Sequence, residues 1–385
     1  MDSNPALAAR TTGAGLRRLT IAVIGGSLTG PVTALLLLRA GFDVTVYEAT
    51  PASAPLGGGL IGLEHTALDV LDRLDIPQRE FIAYDSETIR QVAIRDRQPA
   101  QTVLRTYPGR NTTWTLLHRA LAARVPADVL RKGTRVTGLT EDAGRPVLRF
   151  TDGNTETADL VVFADGRSSI GRRLLDPDRK LHYAGYVAHR GIATSTPQPD
   201  LRDFVRLEPC PGAQFTIAPV PGGCDWTFYL GCTAAEYEQR FGATPTRRVF
   251  ALPRHITPAA RTHVDEHADY LLPSDHAAVV RATTTRMAVP VLDIDPPTRM
   301  VWPVGDGHAV LLGDALAPVR PHTARGANNG IEQAAGLAVA LTQHYRWGAD
   351  LPTALNGWQR RHLPTAVAAV RRGPVIGDKL GLGTR

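Results

Sequence analysis

Three short stretches of this 385-residue chain carry residue types suited to holding a dinucleotide. In the first, Gly25-Gly26-Ser27-Leu28-Thr29-Gly30 is followed by Glu48, eighteen residues beyond Gly30. Gly25 permits a tight turn, Gly30 lets a helix approach a strand, and the helix N-terminus at Leu28 and Thr29 would attract a pyrophosphate. Glu48 can accept hydrogen bonds from a ribose. Ser27 stands where the dinucleotide pattern has its second glycine, so the match is G-x-S-x-x-G. Residues 57–62 satisfy the literal glycine pattern, but no strand is expected before them and they read as a loop.

The second stretch, Asp165-Gly166-Arg167-Ser168-Ser169-Ile170-Gly171-Arg172, follows an apolar run, the position at which open α/β sheets bind ligands. Read alone, it is a turn and a surface cation. The third, Gly313-Asp314-Ala315, also follows an apolar run and leads through Pro318, Arg320, Pro321, His322 and Gly326 into a helix expected to begin near Asn328.

The surrounding pattern must position these residues. Residues 19–24 predict a buried parallel strand, 28–40 a helix closed by Gly41, and 42–48 a second strand, which together make a βαβ unit. Helices are expected over 67–74 and 115–125, and a buried strand over 160–164. From about 181 to 295 the texture changes to short strand-like runs, such as 214–220 and 226–231, with a helical insert near 234–270. Residues 309–312 return to a buried strand, and helices follow over 330–343 and 354–371, the second broken or kinked at Pro364. The expected organisation is a loose leader over 1–18 and a first α/β part over 19–180, of which about 78–100 joins the second domain. A mainly antiparallel substrate domain over 181–295, a return to the first domain over 296–345 and a C-terminal helix and tail over 346–385 complete it.

Composition excludes several classes. With 43% hydrophobic and 21% charged residues the chain has an ordinary globular makeup and no disordered tract. Its net charge is +6, yet the 43 basic residues form no block, so no nucleic-acid partner is expected. The apolar run within the first helix is far too short to span a bilayer, and the one after Arg17-Arg18 is too short for an export signal. A cytoplasmic monomer or homodimer without a membrane partner is expected. Cys210, Cys224 and Cys232 lack a CxxC pair and histidines at ligand spacing, so neither a metal site nor a disulfide framework is expected.

Taken together and in this order, the three stretches resemble the aromatic-ring flavoprotein hydroxylases, the family of para-hydroxybenzoate hydroxylase, over most of the chain. Tyr183-Ala184-Gly185-Tyr186-Val187, Arg190-Gly191, Arg320-Pro321-His322, Ser27 and Trp114 are similar in particular to the 2,6-dihydroxypyridine hydroxylase type. The resemblance implies an α/β fold: a Rossmann-like FAD-binding domain of the GR2 type, a mainly antiparallel substrate domain and C-terminal helices. It implies FAD as cofactor, NADH or NADPH as a transient co-substrate, O2, and a small aromatic or heteroaromatic substrate hydroxylated through a C4a-hydroperoxyflavin. The FAD-contacting positions carried over are Gly25, Ser27, Leu28, Thr29, Gly30, Glu48, Gly59, Asp165, Arg172, Gly313, Asp314, Pro321, Gly326, Ala327 and Asn328. The chain departs from the family at Trp114, where an arginine often opens the helix, at Ala324, where a glycine is common, and at His189, where a large aromatic is expected.

A base that removes a phenolic proton would raise ring nucleophilicity. His322 is the first candidate, since an unperturbed imidazole titrates near neutral pH, followed by His189 and Tyr186. Arg190 and Arg320 are candidates to hold an anionic substrate. Epoxidation or Baeyer–Villiger insertion by the same flavin chemistry, and flavin binding without turnover, are the competing expectations.

Overall fold

The computed structural model describes residues 18–51, 58–194 and 201–383, so the expected leader lies outside the described residues except for Arg18. The chain opens with β1 (Thr20–Ile24), α1 (Thr29–Arg39), β2 (Asp43–Glu48), β3 (Leu60–Glu64), α2 (His65–Arg73) and β4 (Ile82–Tyr84). It continues through β5 (Thr88–Arg95), β6 (Gln98–Thr106), β7 (Gly109–Thr113), α3 (Trp114–Ala122), β8 (Leu130–Lys132), β9 (Val136–Asp142), β10 (Arg145–Phe150) and β11 (Thr155–Thr157). Next come β12 (Leu160–Phe163), α4 (Ile170–Leu175), β13 (Leu181–Ala193), β14 (Phe204–Cys210), β15 (Ala213–Val220) and β16 (Gly223–Gly231). Three helices follow, α5 (Ala234–Phe241), α6 (Pro258–Leu271) and α7 (Ser274–Ala282), then β17 (Arg286–Ile294), β18 (Val301–Val304), β19 (Gly307–Leu311), α8 (Gly326–Trp347) and α9 (Leu351–Lys379).

The near-continuous apolar runs of β1, β12 and β19 are explained by their place in a six-stranded sheet ordered β18-β19-β12-β1-β2-β8. All its neighbours are parallel except β18 and β19. Val23, Leu160, Val161, Val162, Ala309 and Val310 are fully buried in a core that they share with α1, α8 and α9 and with Leu148 and Phe150 of the small β11-β10-β9 sheet. The loops after β1, β12 and β19 leave the same sheet edge side by side, and these loops are the three stretches singled out by residue type.

A second sheet of seven strands, ordered β17-β13-β16-β15-β14-β5-β6, is antiparallel apart from the β14–β5 pair. It recruits 88–106 from the first part of the chain. One face buries Phe215, Trp226, Phe228 and Leu230 under α6 and α7, and each such side chain contributes roughly 1.5–3 kcal/mol by leaving water. The other face is lined with polar groups and turns toward the parallel unit.

Two expectations need correction. Residues 60–62 are not loop: Leu60–Glu64 pairs antiparallel with β7, so the glycine-rich loop stops at Gly59. Nor does Pro364 break the last helix, because α9 runs uninterrupted through Pro364 and Pro374. A proline in a helix interior costs about 3 kcal/mol, here offset by the burial of Leu355, Trp358, Ala366 and Val370.

Candidate active site

Backbone sterics shape the first loop. Gly25 adopts φ +111°, and a Cβ there would press on the Ala164 carbonyl, while a Cβ on Gly30 would overlap the Gly25 oxygen. No side chain caps α1, which leaves its first N–H groups to face whatever lies beyond the sheet edge. Glu48, at the end of β2, accepts the Gly26 N–H (2.6 Å) and the Thr50 N–H (2.6 Å), which fixes its carboxylate beside the loop. Thr29 packs its hydroxyl against Gly313 and Gly330, so only its backbone is available to a ligand. Leu28 leans on the apolar cluster beneath α2 and α3. Ser27 is exposed and accepts a hydrogen bond from Trp114 Nε1 (3.1 Å), which ties the two family departures together.

Asp165 follows β12, accepts the Ile170 N–H (2.6 Å), and keeps a buried Oδ1 without a partner. Burial pushes its carboxyl above the usual range. Arg172 does not reach the cleft as expected. Its guanidinium is buried and donates to the carbonyls of Asp314 (3.1 Å), Ala315 (2.7 Å) and Arg167, so it braces the Gly313-Asp314 loop from behind. Burial lowers its pKa to about 10. Arg179 extends the brace to Leu316 and Asp295. Asp314 lines the cleft with Arg167, Pro318 and Pro321. Burial raises its carboxyl, against the attraction of Arg167 and Arg172.

Helix α8 starts at Gly326, without a side-chain cap and beside the Asp314 carboxylate. Ala327 packs on the cluster below. Asn328 is not a free polar group, since its amide accepts the Glu64 N–H and donates to the Gly62 and Ala324 carbonyls, which clamps α8 to β3. Ala324 sits at φ +54°, the left-handed conformation that a glycine adopts without strain.

On the polar face of the second sheet, strand register sets Arg206, Thr216, Thr227, Arg190 and Met287 in one row, and Gln214, Tyr229, Ala188 and Val289 in the next. Arg190 lies against Gly59, its guanidinium in the space a Cβ there would take, and lines the cleft with Asp314. Asp225, on the same face, is buried; burial raises its carboxyl to about 7, against the pull of Arg190 and the Leu60 N–H. His322 roofs this face, 4.4 Å from the Tyr229 ring and 5.8 Å from Tyr186. Its Nε2 is buried without a partner, as is the Tyr186 hydroxyl. The near-neutral titration expected of His322 is corrected: burial, with Arg206 and Arg320 nearby, lowers its pKa to about 3.

The remaining two candidates lie elsewhere. Successive strand residues point to opposite faces, and His189 accordingly faces away from Arg190, toward Phe241 beneath the sheet, with burial lowering its pKa to about 3. Arg320 cannot hold a ligand carboxylate because it already holds one, pairing through Nε (2.7 Å) and Nη2 (2.5 Å) with Asp293 while lying over the Tyr186 ring.

The model of the FAD binding domain family matches residues 18–372. The chain belongs to that family. It is 29% identical to the 3-amino-4-hydroxybenzoate 2-monooxygenase of Streptomyces cremeus, over 95% of this chain and 89% of that one. It is 30% identical to the 6-hydroxynicotinate 3-monooxygenase of Bordetella bronchiseptica, over 84% and 82%. The solved structure of 2,6-dihydroxypyridine-3-hydroxylase from Arthrobacter nicotinovorans has the same fold, with a TM-score of 0.80 at 23% identity, covering 96% of this chain and 94% of that one.

FAD fits the cleft on physical grounds. The glycine loop has no room for side chains, the starts of α1 and α8 are uncapped, and Asp165 offers a buried oxygen without a partner. Three residues of the polar sheet face went unread in the sequence: Arg206, Asp225 and Tyr229. The available signal was the alternation over 224–230, where Asp225, Thr227 and Tyr229 interleave with buried Cys224, Trp226, Phe228 and Leu230.

Proposed function

We propose that this chain is an FAD-dependent, NAD(P)H-consuming monooxygenase that hydroxylates a small aromatic or heteroaromatic ring. The observation that carries it is the meeting of two surfaces in one cleft, Asp314, Pro318 and Pro321 of the cradle on one side and Ala188, Arg190, Met287 and Val289 of the sheet face on the other. The curated relatives at 29–30% identity are named as monooxygenases of hydroxylated rings, which favours this reading over epoxidation, Baeyer–Villiger insertion or binding without turnover. Bound FAD supplies hydride acceptance from NAD(P)H and oxygen activation.

The residues do the rest. Glu48 and the first turn of α1 would hold the ribose and pyrophosphate, and the uncapped start of α8 beside Asp314 would offer the positive end of its dipole to the flavin. His322 Nε2, uncharged at neutral pH, accepts the hydrogen bond of a ring hydroxyl and orients it. Tyr186 and Tyr229 pack the ring and keep water out. Among the described residues no helix is long and apolar enough to cross a membrane, and a cytoplasmic monomer or homodimer is part of the proposal.

The test is the visible spectrum of the purified protein with mass identification of released flavin, then NAD(P)H and O2 consumption across phenols and hydroxypyridines. Stimulated consumption with a product one oxygen heavier supports the reading. FAD-loaded protein that oxidises NAD(P)H with no ring oxygenated across the panel would overturn it.

A further inference from the structure

Arg167 reaches across the cleft. Its backbone belongs to the stretch after β12, where its carbonyl accepts from the Arg172 guanidinium. Other arginines near the cleft pair with carboxylates, Arg320 with Asp293 and Arg325 with Glu64 and Glu332. Among the described residues Arg167 pairs with none: Asp314 attracts it from a distance, and Arg190, on the same cleft, repels it. Its guanidinium lies instead over the Phe250 ring, 4.7 Å from the centroid. Phe250 comes from the opposite side, on the strap 242–252 that joins α5 to the segment before α6 and runs beside β17 of the second sheet. The contact therefore joins the two units whose surfaces meet in the cleft.

The strap is fastened on both sides of Phe250 and not at Phe250 itself. Ala251 exchanges two backbone hydrogen bonds with Ala288 of β17 (2.8 and 2.9 Å) and is fully buried. On the other side, the Tyr237 hydroxyl donates to the Arg248 carbonyl (2.7 Å), and the Arg248 guanidinium donates to the Phe241 carbonyl. Among the described residues Phe250 makes no hydrogen bond, and beside a buried bridge residue its side chain points the opposite way. Of the residues that line the cleft, Ala188, Val289, Val291 and Pro318 are buried, whereas Phe250 is 42% exposed. Phe250 thus stands at the mouth, on firm footings, with its ring held by Arg167.

We propose that Phe250 is the door of this cleft and Arg167 its latch: ring and guanidinium close the mouth between them, and aromatic ligands pass in and out when the Phe250 side chain swings aside. A guanidinium over an aromatic face shifts an equilibrium by roughly two- to thirtyfold. That is enough to keep the mouth shut most of the time and too little to bar entry. Closure keeps water from the flavin, where exclusion of solvent strengthens every polar contact. The door needs FAD in the cleft and acts on any ring that reaches it, so it goes beyond the proposed hydroxylation and does not depend on it.

The experiment uses the FAD-loaded protein and two readouts. Quenching of flavin fluorescence by a neutral nitroxide reports access through the mouth, and stopped-flow binding of phenol, followed by the flavin absorption change, reports passage. Phe250→Ala is expected to raise the quenching constant at least about threefold and to speed phenol association and dissociation alike by roughly tenfold, leaving the dissociation constant within about threefold. Arg167→Gln should move both readouts the same way by a smaller factor, and Phe250→Tyr should match wild type. In the double variant Arg167→Gln should add nothing to Phe250→Ala, because a latch without a door has nothing to hold. Unchanged quenching in Phe250→Ala, a change carried by one phenol rate only, or full additivity of the two substitutions overturns the proposal. If Arg167→Gln does not load FAD, Phe250→Ala and Phe250→Tyr decide alone, and if phenol does not bind, the quenching decides. Product analysis of the same samples separates the two claims: a flavin made more accessible in Phe250→Ala, in protein that oxygenates no ring, would retire the monooxygenase reading and keep the door.

Discussion

Trp114 Nε1 donates a hydrogen bond to Ser27 Oγ across 3.1 Å, joining the first residue of α3 to the glycine loop after β1. Each residue departs from what its position leads one to expect, and the contact makes the two departures one feature. A side chain in place of the second glycine is accommodated because the hydroxyl turns outward to the indole, which is itself stacked on His118. Trp114→Phe keeps the stacking and removes the donor. The expected effect is a loss of about 0.5–1.5 kcal/mol in FAD affinity, the net worth of one such bond, seen as a several-fold rise in the FAD dissociation constant by fluorescence titration. Unchanged affinity would mean that the loop is held by its backbone alone.

The glycine loop and the two Asp-bearing strand ends of the proposed FAD cradle were legible in the sequence because their requirements are local. Gly25, Gly30, Glu48, Asp165 and Gly313-Asp314 are demanded by turns and strand ends, whose residue types announce themselves within a few positions. The substrate side was not, because it is assembled by register. Arg206, Tyr229 and Asp225 share a face only after β13 to β16 pair, and an arginine in a strand looks the same whether it meets solvent, as Arg105 does on β6, or a buried cleft. Alternation decides such cases: His189 and Arg190 are neighbours in sequence and lie on opposite sides of the sheet. Ala324 shows the reverse situation, a visible substitution whose meaning came from the backbone, since φ +54° is the reason a glycine suits that position.

Arg172 is predicted to act through the loop it supports. Arg172→Met preserves bulk but leaves the carbonyls of Asp314, Ala315 and Arg167 without their donor in a buried place. Each unsatisfied group costs about 1–3 kcal/mol, so a loss of roughly 3 kcal/mol in urea unfolding and a fall in bound FAD are expected together. Arg172→Lys, with one ammonium for three acceptors spread over two segments, should recover only part. FAD content falling with stability intact would instead place the guanidinium in contact with the cofactor.

His189 and Asp225 tilt the pH dependence of stability in opposite senses. His189 has its pKa lowered to about 3, so between that value and its ordinary 6.5 the unfolded chain holds the extra proton. The stability it contributes is complete above pH 6.5 and is lost as pH falls toward 3. Asp225 has its pKa raised to about 7, so the folded chain holds the proton between about 3.9 and 7. Its contribution is complete below 3.9 and is lost as pH rises through 7. Urea unfolding at pH 8 and pH 5 should therefore show that His189→Phe removes about 2 kcal/mol of the acid-side loss, while Asp225→Asn makes acidification more destabilising than in wild type. Both variants tracking wild type at the two pH values would contradict the burial of these groups.

The sharpest contrast is between the two histidines. His322, with its free Nε2 over Tyr229, is placed to take the hydrogen bond of a ring hydroxyl, whereas His189 lies under the sheet against Phe241. His322→Gln keeps a polar group of similar reach but loses the imidazole nitrogen. It is expected to lower kcat by roughly tenfold, the worth of one hydrogen bond to the ring hydroxyl, since an imidazole held at a pKa of about 3 orients the hydroxyl and does not take its proton, with FAD content unchanged and KM little altered. His189→Phe is expected to leave kcat within about twofold, because a volume-filling change beneath the sheet reaches no reacting group. Stopped-flow separation of flavin reduction from ring hydroxylation locates the effect: loss in the hydroxylation step alone fits a hydrogen bond to the substrate hydroxyl. An equal loss in reduction would mean that His322 sets the position of the whole ring rather than the direction of its hydroxyl.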